Sequence, residues 1–349
     1  MLRTELVAKL DTLSPALLPN AIVPAMAQVW FRGERAMTYN DTIAISVPLE
    51  TPFQGAVPGT TLIKVLKTSL AKQVELTATG PALELKAART RLKLALTDPD
   101  SAFIFTMPKV EKYVGLDFDL GRAFVQALDH LMLSVGDDPL QADQCGVTLI
   151  QEGENLLLYS TNRSTISCAE IPKLRFLPKE TRVILPTAFC QQLVSFKESL
   201  TLGLHIGTDH ACFYAGKVEV WGRLLESKKP LDFVAVTKAS LPEDLTMVPV
   251  PHNLGRIVDR ILAVSDDKGA AMTMTVENER CSFELSSSRG EIFDSVALPG
   301  HPDISARLRP LWVRPVCDFS TMALTERCLV MRAGTASYDA SYLVSTGAA

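Results

Sequence analysis

The chain has 349 residues, of which 47% are hydrophobic and 21% charged. That composition excludes a disordered chain and suits two or three packed domains. With 35 basic against 39 acidic residues the net charge is −4, which excludes a uniformly basic nucleic-acid binder but not a basic patch on an acidic body.

At the N-terminus, Leu2, Leu6, Leu10 and Leu13 form an apolar stripe at helical spacing and predict a first helix. Glu5 and Asp11 interrupt the stretch, so it does not read as a signal peptide. No segment approaches the roughly 20 apolar residues a membrane span requires. AMTYNDTIAISV then alternates as a hairpin does. AVPGTTLIKVL runs through Pro58 into helical periodicity at Leu62 and Val65. Proline suits the first turn of a helix, where its missing N–H would have no partner. VELTATGPALELKAARTRLKLALTD reads as further strands, and MPKVEKYVG near 107–115 as a joint.

The same order then recurs. Leu120, Phe124, Leu128, Leu131 and Val135 predict a helix. NLLLYSTNRSTISC predicts a hairpin, Pro186 with Cys190 and Leu193 a second helix, and LTLGLHIGTDHACFYAGKVEVWGRLLE more strands. A second joint falls at ESKKPLDFVAVTKASLPEDL, near 226–245. The third passage has Leu254, Ile257, Val258, Ile261 and Leu262, then CSFELSSSRGEIFDSVAL. Pro315 follows, with Phe319 and Met322 at helical spacing, and then CLVMRAGTASYDASYLVS.

Pro58, Pro186 and Pro315 lie 128 and 129 residues apart, which is the spacing of a long internal repeat. The expected fold class is α+β, with three repeated domains over 1–110, 111–236 and 237–349. Each is expected to hold two helices packed on antiparallel sheets. The third ends early, so its last sheet is expected to be trimmed.

Enzyme motifs do not turn up. The chain has no phosphate-binding G-x-x-x-x-G-K-[ST], no G-x-S-x-G and no H-E-x-x-H. The seven cysteines show no C-x-x-C pair and read as reduced core residues of a cytosolic protein. His205 and His210 sit five apart across a turn, which is poor metal spacing, and Asp266 and Asp267 read as a solvated turn. No metal, no cofactor and no catalytic residue are expected. A repeated carbohydrate-binding protein would need convergent aromatics, whereas Trp30, Trp221 and Trp312 stand in unrelated contexts.

Several segments resemble the bacterial beta sliding clamp, the processivity subunit of DNA polymerase III, or a phage version of it. LLLYSTNRSTISCAEI resembles the family's strand-turn-strand ATDGHRLA. Thr161, Asn162 and Ile166 fall on its Thr, Asp and Leu, while Arg163, Ser164 and Thr165 replace its Gly, His and Arg. TRVILPTAFCQQLV resembles its strand-Pro-helix segment, and KKPLDFVAV its Tyr-Pro-Asp-Tyr linker. NLGRIVDRILAVSDDKG resembles the opening helix of its third domain, with Arg260 on the family's Arg, and Tyr-Leu-Val near the end resembles its Tyr-Val-Val. Where the family ends in Met-Pro-Met, this chain has Ser345 to Ala349.

The resemblance implies a non-enzymatic protein that forms a closed ring from two chains joined head to tail, with helices lining the hole and sheets forming the outer wall. Its implied partners are double-stranded DNA, without sequence preference, and peptides of the polymerase and the clamp loader, with no membrane. The implied place is the cytoplasm, at the nucleoid. A ring that slides should touch phosphates, which carry no sequence information directly. Candidates for that contact are Lys9, Lys64, Lys67, Lys72, Arg122, Lys197 and Arg256. Carried over residue by residue, the peptide pocket would involve Thr161, Ile166, Arg260, Val264, Leu343, Val344 and Ser345. A related ring serving repair or transcription, and a structural protein of repeated β domains, are the alternatives.

Overall fold

In a computed structural model, the described residues are 1–98, 107–110, 112–138, 140–178, 181–197, 202–241, 245–265 and 270–346. The first run of elements is α1 (Arg3–Leu13), β1 (Gln28–Arg32), β2 (Arg35–Tyr39), β3 (Ile43–Pro48), β4 (Gln54–Pro58) and α2 (Gly59–Thr68). It closes with β5 (Glu75–Thr79), β6 (Ala82–Ala87) and β7 (Thr90–Ala95). The second run opens with β8 (Val114–Leu116) and α3 (Phe118–Leu131). It continues through β9 (Gly146–Glu152), β10 (Asn155–Thr161), β11 (Thr165–Ile171), β12 (Arg182–Pro186) and α4 (Thr187–Ser195). Its last strands are β13 (Leu202–Ile206), β14 (His210–Ala215) and β15 (Val218–Arg223). In the third run come α5 (Phe233–Ser240), β16 (Val248–Pro249), α6 (Leu254–Val264), β17 (Met272–Glu277), β18 (Arg280–Ser287) and β19 (Gly290–Ala297). Then follow β20 (Ile304–Leu308), α7 (Pro310–Val313), β21 (Thr321–Leu324), β22 (Cys328–Thr335) and β23 (Tyr338–Ser345).

The chain divides into two compact units. The first comprises Met1–Arg122 and Leu185–Leu224. It holds an eight-stranded sheet in the order β4-β1-β2-β3-β15-β14-β13-β8 and a three-stranded sheet β5-β6-β7. Helix α1 is built on Leu6, Leu10 and Leu13, all fully buried. α2 buries Leu62, Ile63 and Leu66. These positions recur every three or four residues, so each helix turns one apolar stripe inward. Each such side chain contributes about 1.5–3 kcal/mol by leaving water. Pro58 ends β4 and caps α2, and Pro186 ends β12 and caps α4. A residue without an N–H stops a ladder and starts a helix at no cost in hydrogen bonds.

The second unit comprises Ala123–Ile184 and Leu225–Ala349. Its eight-stranded sheet runs β12-β9-β10-β11-β23-β22-β21-β16, and a four-stranded sheet runs β20-β17-β18-β19. Leu254, Ile257, Val258 and Ile261 of α6 bury against Met274, Phe283, Leu308, Val316 and Tyr342 in one core.

The repeat is visible in strand order. Three four-stranded blocks share one order, β4-β1-β2-β3, β12-β9-β10-β11 and β20-β17-β18-β19. Three three-stranded meanders, β5-β6-β7, β13-β14-β15 and β21-β22-β23, follow them along the chain.

Two sequence expectations are corrected. Pro315 does not start a helix: it lies in a 3-10 turn, Arg314–Val316, directly after the short α7, whose first residue is Pro310. Met322 belongs to β21. A proline fits the first turn of either kind of helix equally well, so its spacing could not distinguish them. The last sheet is also not trimmed, because β22 and β23 run eight residues each.

Candidate functional site

The segment read as STNRSTIS forms the turn between β10 and β11. Asn162 Oδ1 accepts hydrogen bonds from the backbone N–H of Ser164 at 3.1 Å and of Thr165 at 2.8 Å. This is the Asx geometry that makes asparagine a turn residue. Arg163 takes a left-handed φ of 73° and pairs with Asp138 at 3.0 Å. Thr161 is buried and donates to the Thr165 carbonyl at 2.8 Å.

Antiparallel pairing of β11 with β23 sets Ile166 opposite Leu343 and Thr165 opposite Val344, and Ser345 N–H donates to the Ser164 carbonyl at 2.9 Å. Five of the seven expected pocket residues, Thr161, Ile166, Leu343, Val344 and Ser345, therefore share one end of one sheet. Alternation along the strand divides them between its faces. Leu343 and Ile166 belong to an apolar cluster with Val330, Leu241, Leu245 and Met247. Val344 is fully buried on the opposite face, in the core against which Val264 packs. Arg260 is exposed and donates through Nε to Asp294 of β19 at 2.8 Å.

Of the expected DNA contacts, six lie in the first unit. Lys64 and Lys67 are exposed on α2, and Lys72 is exposed just after it. Lys9 on α1 is half-buried, whereas Arg122 on α3 and Lys197 after α4 are exposed. Lys67 pairs with Asp11 of α1 at 2.8 Å, so part of its charge is already met. Arg256 is exposed on α6, in the second unit.

Sequence reading missed two features. A cavity of about 470 Å³ in the second unit is lined by Leu241, Leu245, His301, Ile304, Leu324 and Arg327 among others. His301, almost fully buried, is fixed by two backbone groups: the Leu324 N–H donates to its Nε2 at 2.7 Å, and Nδ1 contacts the Pro302 carbonyl oxygen at 2.7 Å. Arg182 pairs with Asp143 in the second unit. Neither is local in sequence, so no motif could have signalled them.

Burial pushes the thiols of Cys212, Cys281 and Cys317 up to about 12 and that of Cys168 to about 11. Thiols held protonated are poor nucleophiles and poor ligands. Among the described residues no group of three or more His, Cys, Asp or Glu is placed to hold a metal ion. Asp266 and Asp267 lie outside the described residues.

No family model matches the sequence, and no curated protein does. Solved structures do match. The DNA polymerase III beta subunit of Streptococcus pyogenes superposes with a TM-score of 0.84 at 14% identity, covering 100% of this chain and 99% of that one. The beta subunit of Thermotoga maritima gives 0.83 at 15% identity, covering 100% and 98%. That of Pseudomonas aeruginosa gives 0.82 at 14% identity, covering 100% and 99%. The chain has the sliding-clamp fold. The coverage is end to end, so the clamp fold accounts for every element described above. No helix among the described residues is long and apolar enough to cross a membrane.

Proposed function

We propose that this clamp-fold chain is a DNA polymerase processivity factor: a non-enzymatic ring of two copies that encircles duplex DNA, slides on it, and holds a polymerase through a short docked peptide. The observation that carries the reading is the end-to-end superposition on beta subunits, with three four-stranded blocks of one strand order. In this reading the three domains span 1–110, 111–236 and 237–349.

Duplex DNA presents one negative charge per roughly 1.7 Å, so cations on helix surfaces suffice to hold a ring without reading bases. Lys64, Lys67, Lys72, Arg122, Lys197 and Arg256 supply them, with Lys9 beside them. The docking surface is the end of β10, β11 and β23 on the face that carries Ile166 and Leu343, which offer apolar contact, with Thr161 and Ser345 beside them as polar contacts, whereas Val264 and Arg260 of α6 stand on the opposite face with Val344. Val344 supports the pocket from the core. Apolar anchors give such grooves their affinity, and a few polar groups fix orientation.

The deciding experiment loads the protein on nicked circular DNA and then linearises the DNA. Retention on the circle with loss on linearisation is expected of a ring held by topology. Equal retention on both forms would mean ordinary adhesion and would overturn the reading.

A further inference from the structure

Five residues separate His205 from His210, which is poor spacing for two metal ligands on a single element, but the β13–β14 hairpin folds that interval back on itself. His205 pairs across the strands with Cys212. Gly207 faces His210, whose carbonyl accepts the Gly207 N–H at 2.8 Å. Side chains two apart on a strand share a face, so His205, Gly207, His210 and Cys212 all stand on one side of the hairpin. The two imidazoles are diagonal neighbours with ring centres 6.0 Å apart. We propose that His205 and His210 hold one divalent late first-row metal ion, of the zinc, nickel and copper class, through their Nε2 atoms, with water completing its coordination. The site lies within the first unit and is independent of the two-copy reading.

Both rings have their other nitrogen engaged. His205 Nδ1 lies 3.2 Å from the Lys112 carbonyl oxygen, and His210 Nδ1 lies 2.8 Å from Asp209 Oδ1. A carbonyl and a carboxylate only accept, so in each neutral ring Nδ1 carries the proton and Nε2 keeps its lone pair. Among the described residues neither Nε2 takes part in a hydrogen bond. An imidazole whose second nitrogen donates to a carbonyl or a carboxylate is the arrangement that orients metal-bound histidines. The hydrogen bond from His210 holds the Asp209 carboxyl below the usual carboxylate range, so it stays an acceptor.

The separation suits one shared ion. Zinc sits about 2.0–2.1 Å from a histidine nitrogen, which puts it about 3.2 Å from the ring centre. Two rings sharing it have centres about 5.2 Å apart at a tetrahedral angle and at most about 6.4 Å apart in line. The 6.0 Å found here falls inside that range. Gly207 makes the approach possible, because a Cβ there would stand 2.7 Å from His210 Cε1 and 3.0 Å from its Nε2. The His210 ring therefore lies over Gly207, with its Nε2 edge toward the strand that carries His205. Trp221 stacks on the His210 ring at 6.5 Å, and Tyr113 meets the His205 ring edge-on at 6.4 Å, so both rings are braced. Arg223 pairs across the strands with His210 and is exposed, and Asp209 offsets its charge. Cys212 is not a third ligand: it is buried, and its thiol is pushed up to about 12. Two protein ligands leave the ion open to water, unlike the closed set of a structural site.

Calorimetric titration of the full, untagged chain with zinc chloride reads the stoichiometry, and paramagnetic resonance of its copper(II) complex reads the coordinating nitrogens. One ion per chain is expected, with copper held more tightly than nickel. His205→Gln and His210→Gln should each weaken zinc binding about tenfold or more and leave one histidine nitrogen on copper instead of two. Asp209→Asn keeps both ligands and should weaken binding about tenfold through the orientation of His210. Zinc should raise the thermal unfolding midpoint of the wild type and leave that of the His205→Gln/His210→Gln double variant unmoved. His252→Gln removes an exposed histidine elsewhere and should bind as the wild type does. Undiminished zinc binding by the double variant overturns the site, as does a single histidine nitrogen on copper in the wild type. A loss in His252→Gln as large as that in His210→Gln would place the ion at His252 and overturn it equally.

Discussion

The guanidinium of Arg182, at the start of β12, donates to the carboxylate of Asp143, and both side chains are largely buried. The second Asp143 oxygen accepts from the Ser227 hydroxyl at 2.5 Å. Arg182 also donates to the Leu231 carbonyl at 2.6 Å and lies 5.5 Å from the centre of the Phe233 ring. One cation thus ties β12 to the segment that leads into α5. Removing one partner of a buried pair strands the other charge, so Asp143→Ala should cost about 3 kcal/mol. Asp143→Leu with Arg182→Met should recover most of that loss. Urea unfolding reads both, and an Asp143→Ala midpoint equal to wild type would show the pair to be solvated.

Gly222 of β15 has no room for a side chain. A Cβ there would stand 2.5 Å from Cδ2 of Phe189, which is fully buried on α4. Gly222→Ala should therefore cost about 1–3 kcal/mol by overpacking. Phe189→Leu in the same chain should cost less than the two single changes added together, because the smaller side chain vacates the clash. Strict additivity in thermal unfolding would show that α4 moves aside freely.

The helices were legible because their stripes are local. Leu6, Leu10 and Leu13 on α1, and Leu254, Ile257, Val258 and Ile261 on α6, are buried as their spacing predicts. The turn Asn162 to Thr165 was legible for the same reason. What sequence misread was long-range or degenerate. Pro315 satisfies a 3-10 turn as well as a helix, so equal spacing misled. Ile166 and Val344 looked alike as apolar pocket residues, yet they face opposite sides of one sheet. The pairings of β3 with β15 and of β11 with β23 join strands more than a hundred residues apart, which no local pattern encodes.

His130, on α3, lies with ring centres 5.0 Å from Phe319 and 5.7 Å from Tyr338. Burial holds its pKa below the ordinary 6.5, with Asp129 opposing the shift. Its neutral form is favoured in the folded state, so the unfolded chain takes up the proton more readily. The resulting stability is fully present above pH 6.5 and is lost as pH falls from there toward the folded pKa. The difference in unfolding midpoint between wild type and His130→Phe should change between pH 7.5 and pH 5.5, with wild type losing more. A pH-independent difference would place His130 in water.

Three lysines near α2 are not equivalent. Lys67 is engaged by Asp11, whereas Lys64 and Lys72 are exposed on either side of it. An exposed pair is worth little to stability, about 0–1 kcal/mol, but it lowers the charge available to a phosphate. Lys64→Glu with Lys72→Glu should weaken retention on circular DNA and make the salt dependence shallower by about 0.9 for each phosphate no longer neutralised. Lys67→Glu should do less, and Asp11→Asn should strengthen retention by freeing Lys67. Salt titration of the loaded complex measures all three, and a slope unchanged in the double variant would remove α2 from the DNA-facing surface.

The expected docking surface can be dissected by face. Ile166 is only partly buried, among Leu343, Leu241, Leu245 and Met247, whereas Val344 has no exposed surface. A residue that touches a docked peptide should change affinity without changing stability, and a core residue should do the reverse. Ile166→Glu is therefore expected to abolish binding of a labelled peptide from the cognate polymerase while leaving thermal unfolding near wild type. Val344→Ala is expected to cost about 2 kcal/mol of stability through the cavity it leaves, with affinity retained once the folded fraction is accounted for. Fluorescence anisotropy and unfolding on the same two variants separate these outcomes. If Val344→Ala lost the peptide and Ile166→Glu kept it, the docking groove would lie on the α6 side of the sheet.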